Sequence, residues 1–93
     1  MEYNLIYHPD VKKVDLPKID AKNKSMIKRA IEERLATSPE IYGKPLRRSL
    51  KGYWKLRVGD YRIVFNIAGS ELRILAIIDR KAVYQKSEKR IKD

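Results

Sequence analysis

Residues 53–67 read YWKLRVGDYRIVFNI. Hydrophobic side chains fall at every second position: Trp54, Leu56 and Val58 before the Gly59-Asp60 pair, then Ile63, Phe65 and Ile67 after it. A period of two places these residues on one face of a strand and the interleaved residues on the other. A Gly-X pair between two such runs suits a type II′ turn, whose first central residue needs a positive φ. The stretch therefore predicts an antiparallel hairpin, with Tyr53, Lys55, Arg57 and Arg62 gathered on its second face. A further turn at Ala68-Gly69-Ser70 leads into Leu72–Ile78, apolar throughout except for Arg73. That run predicts the most buried strand.

Upstream of the hairpin, Tyr3–Tyr7 is β-prone and ends at His8-Pro9, which predicts a short first strand. His8 is expected to be a strand-end residue pinned by the proline rather than a catalyst. Pro9-Asp10-Val11 starts a helix that Pro17 cuts short. Asp20 is a good N-cap for a second helix, in which Met26, Ile27, Ala30, Ile31 and Leu35 form one apolar stripe facing the core. Thr37-Ser38-Pro39 stops it. Residues 39–52 read as a loop, punctuated by Gly43, Pro45 and Gly52 and charged by Arg47, Arg48 and Lys51. Val83-Tyr84 and the basic tail Lys86–Lys92 close the chain as a final helical turn. The order β-α-α-β-β-β predicts an α+β fold, an antiparallel sheet with helices packed on one face, with residues 1–93 forming one domain.

The net charge is +10 over 93 residues, and it is lopsided. Residues 1–43 balance at +1 and residues 44–93 at +9. A merely solvated lysine-rich surface would be more even, so a polyanionic partner is expected: nucleic acid, an acidic protein, or both in turn. Hydrophobic residues make up 43% of the chain, enough for one modest core. No cysteine is present, which excludes a disulfide framework, a thiolate nucleophile and a Cys-ligated metal. One histidine excludes a paired-histidine acid–base mechanism. No apolar run reaches about 18 residues, and the N-terminus lacks a secretory pattern, so a cytoplasmic location is expected.

The cations of the basic half form a phosphate-gripping set, since arginine offers a planar fork and lysine a point charge. Tyr53, Tyr61 and Tyr84 are interleaved with them, as rings that stack on the bases of single-stranded RNA. Glycine-rich phosphate loops, zinc spacings and Ser-His-Asp sets are absent from the sequence, and carboxylates are sparse in the basic half. No metal and no cofactor are expected.

Residues 44–65, KPLRRSLKGYWKLRVGDYRIVF, together with Asp79-Arg80-Lys81-Ala82-Val83-Tyr84, resemble the RelE family of the RelE/ParE toxin superfamily. Length and element order agree, so the resemblance covers nearly the whole chain. It implies a toxin of a type II toxin–antitoxin pair, silenced by a RelB-like antitoxin that is acidic or amphipathic. RelE-type members enter the ribosomal A site and cut mRNA; ParE-type members inhibit DNA gyrase. The family's phosphate-gripping arginine matches Arg62, the lysine of its Lys-Leu-Arg segment matches Lys55, and an upstream loop arginine matches Arg47. The arginine before the C-terminal Val-Tyr matches Arg80, and that tyrosine matches Tyr84. Where some RelE proteins carry a second lysine, this chain has Tyr53.

The resemblance thus implies Lys55, Arg62, Arg80 and Tyr84 as catalytic, with Arg47, Arg48, Lys51, Tyr53 and Arg57 as RNA-binding residues. Cleavage requires the ribose 2′-OH to lose a proton and attack the adjacent phosphorus. Arg62 is the candidate for stabilising the phosphoryl charge and Arg80 for stabilising the leaving oxygen. Tyrosine and lysine titrate near about 10 in water, and nearby cations favour their deprotonated forms. Tyr84 or Lys55 is therefore the candidate base. The rival readings are a gyrase inhibitor of the ParE type and a non-catalytic basic RNA-binding module.

Overall fold

The hairpin sits at the centre of a five-stranded sheet. The computed structural model describes residues 2–92. Its strands are β1 (Asn4–Tyr7), β2 (Lys44–Pro45), β3 (Trp54–Val58), β4 (Tyr61–Ala68) and β5 (Glu71–Asp79). Its α-helices are α1 (Ala21–Ala30), α2 (Pro39–Tyr42) and α3 (Val83–Lys92). The strand order is β1-β5-β4-β3-β2. β2 to β5 pair antiparallel, and β1 joins β5 in parallel. Val58 pairs with Tyr61 across the first turn, where Gly59 has φ +60°. Asp60 is not at positive φ, so the turn matches the II′ form rather than I′.

The expected alternation decides the first core. Leu56, Val58, Ile63, Phe65, Leu72, Ile74 and Ile77 are buried against Val11, Ile19, Ile27, Ala30, Ile31 and Leu35. Trp54, Tyr61 and Ile67 pack on the margin of the same cluster. The N-terminal turns and α1 thus cover this face, as the sequence predicts. Pro17 lies in a 3₁₀ turn, Leu16–Lys18, that ends the first helical segment. Beyond α1 the chain widens into a π-type turn, closed by the Ala36 N–H donating to the Ile31 carbonyl at 2.8 Å. Met26 departs from the expected stripe. It is 45% exposed, because one step of a helix turns it about 100° away from Ile27.

The second sheet face also has a core, which the sequence pattern did not disclose. Leu46, Leu50 and Val83 are buried against Val64, Leu75, Ala76 and Ile78. A bulge helps: register shifts between Val64, paired with Ala76, and Phe65, paired with Ile74. Leu75 is the extra residue, and both it and Ala76 join this second cluster. The basic tail is therefore not a single turn. It forms the latter part of ten-residue α3, which rests on the second face through Val83, Ser87 and Arg90. The segment read as a loop also has structure: α2, the two-residue β2, and a 3₁₀ turn at Arg48–Leu50. No helix is long and apolar enough to cross a membrane among the described residues.

Candidate nucleic-acid interface

The expected cations gather where α3 leaves the second face uncovered. Arg57 on β3 pairs directly with Arg62 on β4. Two residues along β3, Lys55 pairs directly with Lys44 on β2. Cross-strand partners share a face, so the four cations lie on one face as two like-charged pairs, one in the β2–β3 ladder and one in the β3–β4 ladder. Directly opposed like charges destabilise a sheet. Among the described residues, none of the four has a carboxylate oxygen within 4 Å. Lys44 is the cation that sequence reasoning missed. Its signal was its pairing with Lys55, invisible while residues 39–52 read as a loop.

Arg62 is half-buried rather than free on an open face. Its Nη1 donates to the Gly59 carbonyl at 3.1 Å and to the Tyr61 carbonyl at 2.9 Å. The β3–β4 turn thereby fixes the guanidinium, and the remaining donors make no other protein bond among the described residues. Arg80 reaches the same turn from β5, its backbone N–H donating to the Asp60 carbonyl at 3.1 Å. The Asp79 carboxylate caps the 3₁₀ turn that carries Arg80 by accepting the Lys81 N–H at 2.9 Å. The turn thus holds Arg62 at its guanidinium and Arg80 at its main chain.

Tyr84 lies in the first turn of α3 and is 41% exposed. Its hydroxyl accepts the Arg47 N–H at 3.3 Å, which ties α3 to the loop bearing Arg47, Arg48 and Lys51. Leu46 and Leu50 anchor that loop in the second core, leaving its three cations exposed. The Ser49 hydroxyl bonds the Glu88 carboxylate, a second tie to α3. Arg48 has φ +55°, a left-handed conformation that costs a non-glycine residue about 1–2 kcal/mol. It is the only described non-glycine residue at positive φ.

The three tyrosines separate. Tyr61 packs on the first face and Tyr53 against the second core, so Tyr84 is the exposed ring of the set. Tyr53 also lines a cleft of about 300 Å³ with His8, Asn66 and Arg73, at the other end of the sheet from Arg62. The Nδ1 of His8 accepts the Asp10 N–H at 3.1 Å, consistent with a strand-end role.

A family model described as the ParE toxin of type II toxin–antitoxin systems matches residues 5–84. The chain belongs to the ParE toxin family. Every rung and turn described above except the C-terminal part of α3 falls within that span. No curated protein matches this ParE-family chain. Among solved structures, it is similar to the RelBE2 toxin–antitoxin complex from Mycobacterium tuberculosis, at 27% identity and TM-score 0.79. That match covers 86% of this chain and 100% of the other. Escherichia coli RelE, a mutant in the free state, matches at 22% identity and TM-score 0.75 over 98% of this chain and 99% of that one. The RelB–RelE complex of Methanococcus jannaschii matches at 23% identity and TM-score 0.67, covering 87% and 96%. The ParE-family chain is thus a toxin of the type II class with the α+β fold of the RelE/ParE superfamily.

Proposed function

We propose that residues 1–93 act as one toxin domain that enters the cytoplasmic ribosome and cuts mRNA. The observation that carries this reading is the two like-charged pairs, Lys44–Lys55 and Arg57–Arg62, with no carboxylate within 4 Å among the described residues. Opposed like charges cost a sheet stability unless an anion sits over them, and a phosphodiester backbone is an anion long enough to lie along both pairs.

The 2′-OH gives up its proton and its oxygen attacks the adjacent phosphorus. The bond from phosphorus to the 5′-oxygen breaks and that oxygen takes a proton from water, leaving a 2′,3′-cyclic phosphate and a 5′-hydroxyl. Negative charge gathers on the phosphoryl oxygens, where preorganised cations provide the largest stabilisation. Arg62, already held by the Gly59 and Tyr61 carbonyls, takes that role. Tyr84 or Lys55 takes the 2′ proton, and Arg80 faces the leaving oxygen. Arg47, Arg48, Lys51 and Arg57 grip flanking phosphates, and Tyr53 borders that path. The chain's own cations supply the charge, so the step is assigned to no metal and no cofactor. The chemistry is weak without orientation, and the ribosome supplies that by holding the message. A RelB-like antitoxin, acidic or amphipathic, silences the protein by covering the same cations; the antitoxin partners of the similar RelBE complexes support this.

Primer extension on a message programmed into ribosomes tests the reading. New stops appear with the protein if the reading holds and are absent if it fails. The name of the matching family favours a second reading, binding and inhibition of DNA gyrase. Gyrase supercoiling assayed with the same preparation separates the two: inhibition without message cleavage selects the second.

A further inference from the structure

An ion pair between residues 75 positions apart ties α3 down. Arg90 Nη1 donates to Asp15 Oδ2 at 2.8 Å and Nη2 to Asp15 Oδ1 at 3.1 Å. Nη1 also donates to the Leu75 carbonyl at 3.0 Å. Both side chains are buried, 8% and 3% exposed. Asp15 is itself fixed to the sheet. β1 pairs with β5 only as far as Ile74, and Asp15 Oδ2 accepts the Ile77 N–H at 2.9 Å on the edge that β1 leaves open. Hydrogen bonding to Asp15, opposed by burial, raises Arg90 above its ordinary range.

We propose that Asp15 and Arg90 are positioning residues for Tyr84, a pin that holds α3 and through it the geometry of the cleavage site. This rests on the role given to Tyr84 above. Ten residues are too few for a stable isolated helix, which needs about 12–15, so α3 depends on its anchors. Val83 anchors its start, but Ser87 in the middle has no hydrogen-bond partner for its buried hydroxyl among the described residues. In the second half, Arg90 supplies the buried, bidentate contact, beside the exposed bond from Ser49 to Glu88. A bidentate guanidinium–carboxylate pair admits one orientation, where apolar packing admits several. Tyr84 lies six residues before Arg90, about 9 Å along the helix axis. Its hydroxyl in turn holds the Arg47 amide, and Glu88 holds Ser49. The pin therefore acts on Tyr84 and on the cationic loop without touching RNA.

Asp15→Asn and Arg90→Lys test this, by amide hydrogen exchange and by single-turnover cleavage on programmed ribosomes. Exchange of the Arg47 amide should rise at least tenfold in both variants, while the Ile63 and Phe65 amides keep their protection. The cleavage rate should fall about tenfold or more, with the half-saturating ribosome concentration unchanged. Unchanged Arg47 exchange in a folded variant overturns the proposal. Equal loss of protection in β4 also overturns it, because the pair would then be merely structural. Should Asp15→Asn fail to fold, Arg90→Lys, which keeps the charge and loses the fork, decides alone. If the wild-type protein cuts no message, the cleavage reading fails, while Arg47 exchange still reports whether the pin positions Tyr84.

Discussion

Gly43→Ala should cost this protein more than any other single methyl added at a glycine. A Cβ built at Gly43 would lie 2.6 Å from Phe65 Cζ and 2.8 Å from the Pro39 carbonyl oxygen. Neither neighbour can withdraw. Phe65 is fully buried and stacks on Trp54 with ring centroids 6.5 Å apart. The Pro39 carbonyl is held by the Gly43 N–H at 2.8 Å, the bond that closes α2. Overpacking of this kind costs about 1–3 kcal/mol, and two rigid contacts place the change near the upper end. For a domain of this size, that lowers the melting temperature by roughly 10–20 °C. Gly59→Ala is the control. Beyond its chain neighbours, nothing among the described residues lies within 4 Å of its added Cβ, so the positive φ is what opposes it, at about 1–2 kcal/mol. Thermal melting followed by circular dichroism measures both. Trp54, the single tryptophan, gives a local reading through its fluorescence, which should change in Gly43→Ala and not in Gly59→Ala. A Gly43→Ala protein that melts within about 3 °C of wild type, with unaltered Trp54 emission, would refute the close approach of α2 to Phe65.

Arg62→Ala should leave the fold intact and lower single-turnover cleavage by roughly 10² to 10³, the loss of about 3–4 kcal/mol of charge stabilisation. Near wild-type cutting by a folded variant would remove Arg62 from the mechanism. Ser87→Ala should stabilise the protein by about 1 kcal/mol, because it removes a buried hydroxyl that has no partner among the described residues, and urea denaturation reads the sign. Lys86→Glu with Lys89→Glu should weaken antitoxin binding about tenfold at low salt and less at high salt. Both lysines are exposed on α3, whereas deleting residues 86–93 would also remove the buried Ser87 and Arg90. Affinity unchanged at two salt concentrations would place the antitoxin contact elsewhere.

Sequence alone determined the hairpin, the identity of its core face and the first helical layer. Each rests on a periodic apolar pattern: Trp54, Leu56 and Val58 against Ile63, Phe65 and Ile67, and Ile27, Ala30, Ile31 and Leu35 along α1 and the π-type turn that follows it. It also gathered Arg57 and Arg62, because a two-residue turn fixes register. Tertiary structure alone decided the second core. The buried face of α3 is Val83, Ser87 and Arg90, and a serine and an arginine leave no hydrophobic period to detect. Arg90 is buried only because Asp15 meets it from 75 residues away, a pairing that no local pattern encodes. Lys44 joined the cations for the same reason, since β2 is two residues long and exists through its pairing with β3. Local propensity acts over one strand or one helix. Which surface α3 covers, and so which cations stay bare, is set by contacts between residues distant along the chain.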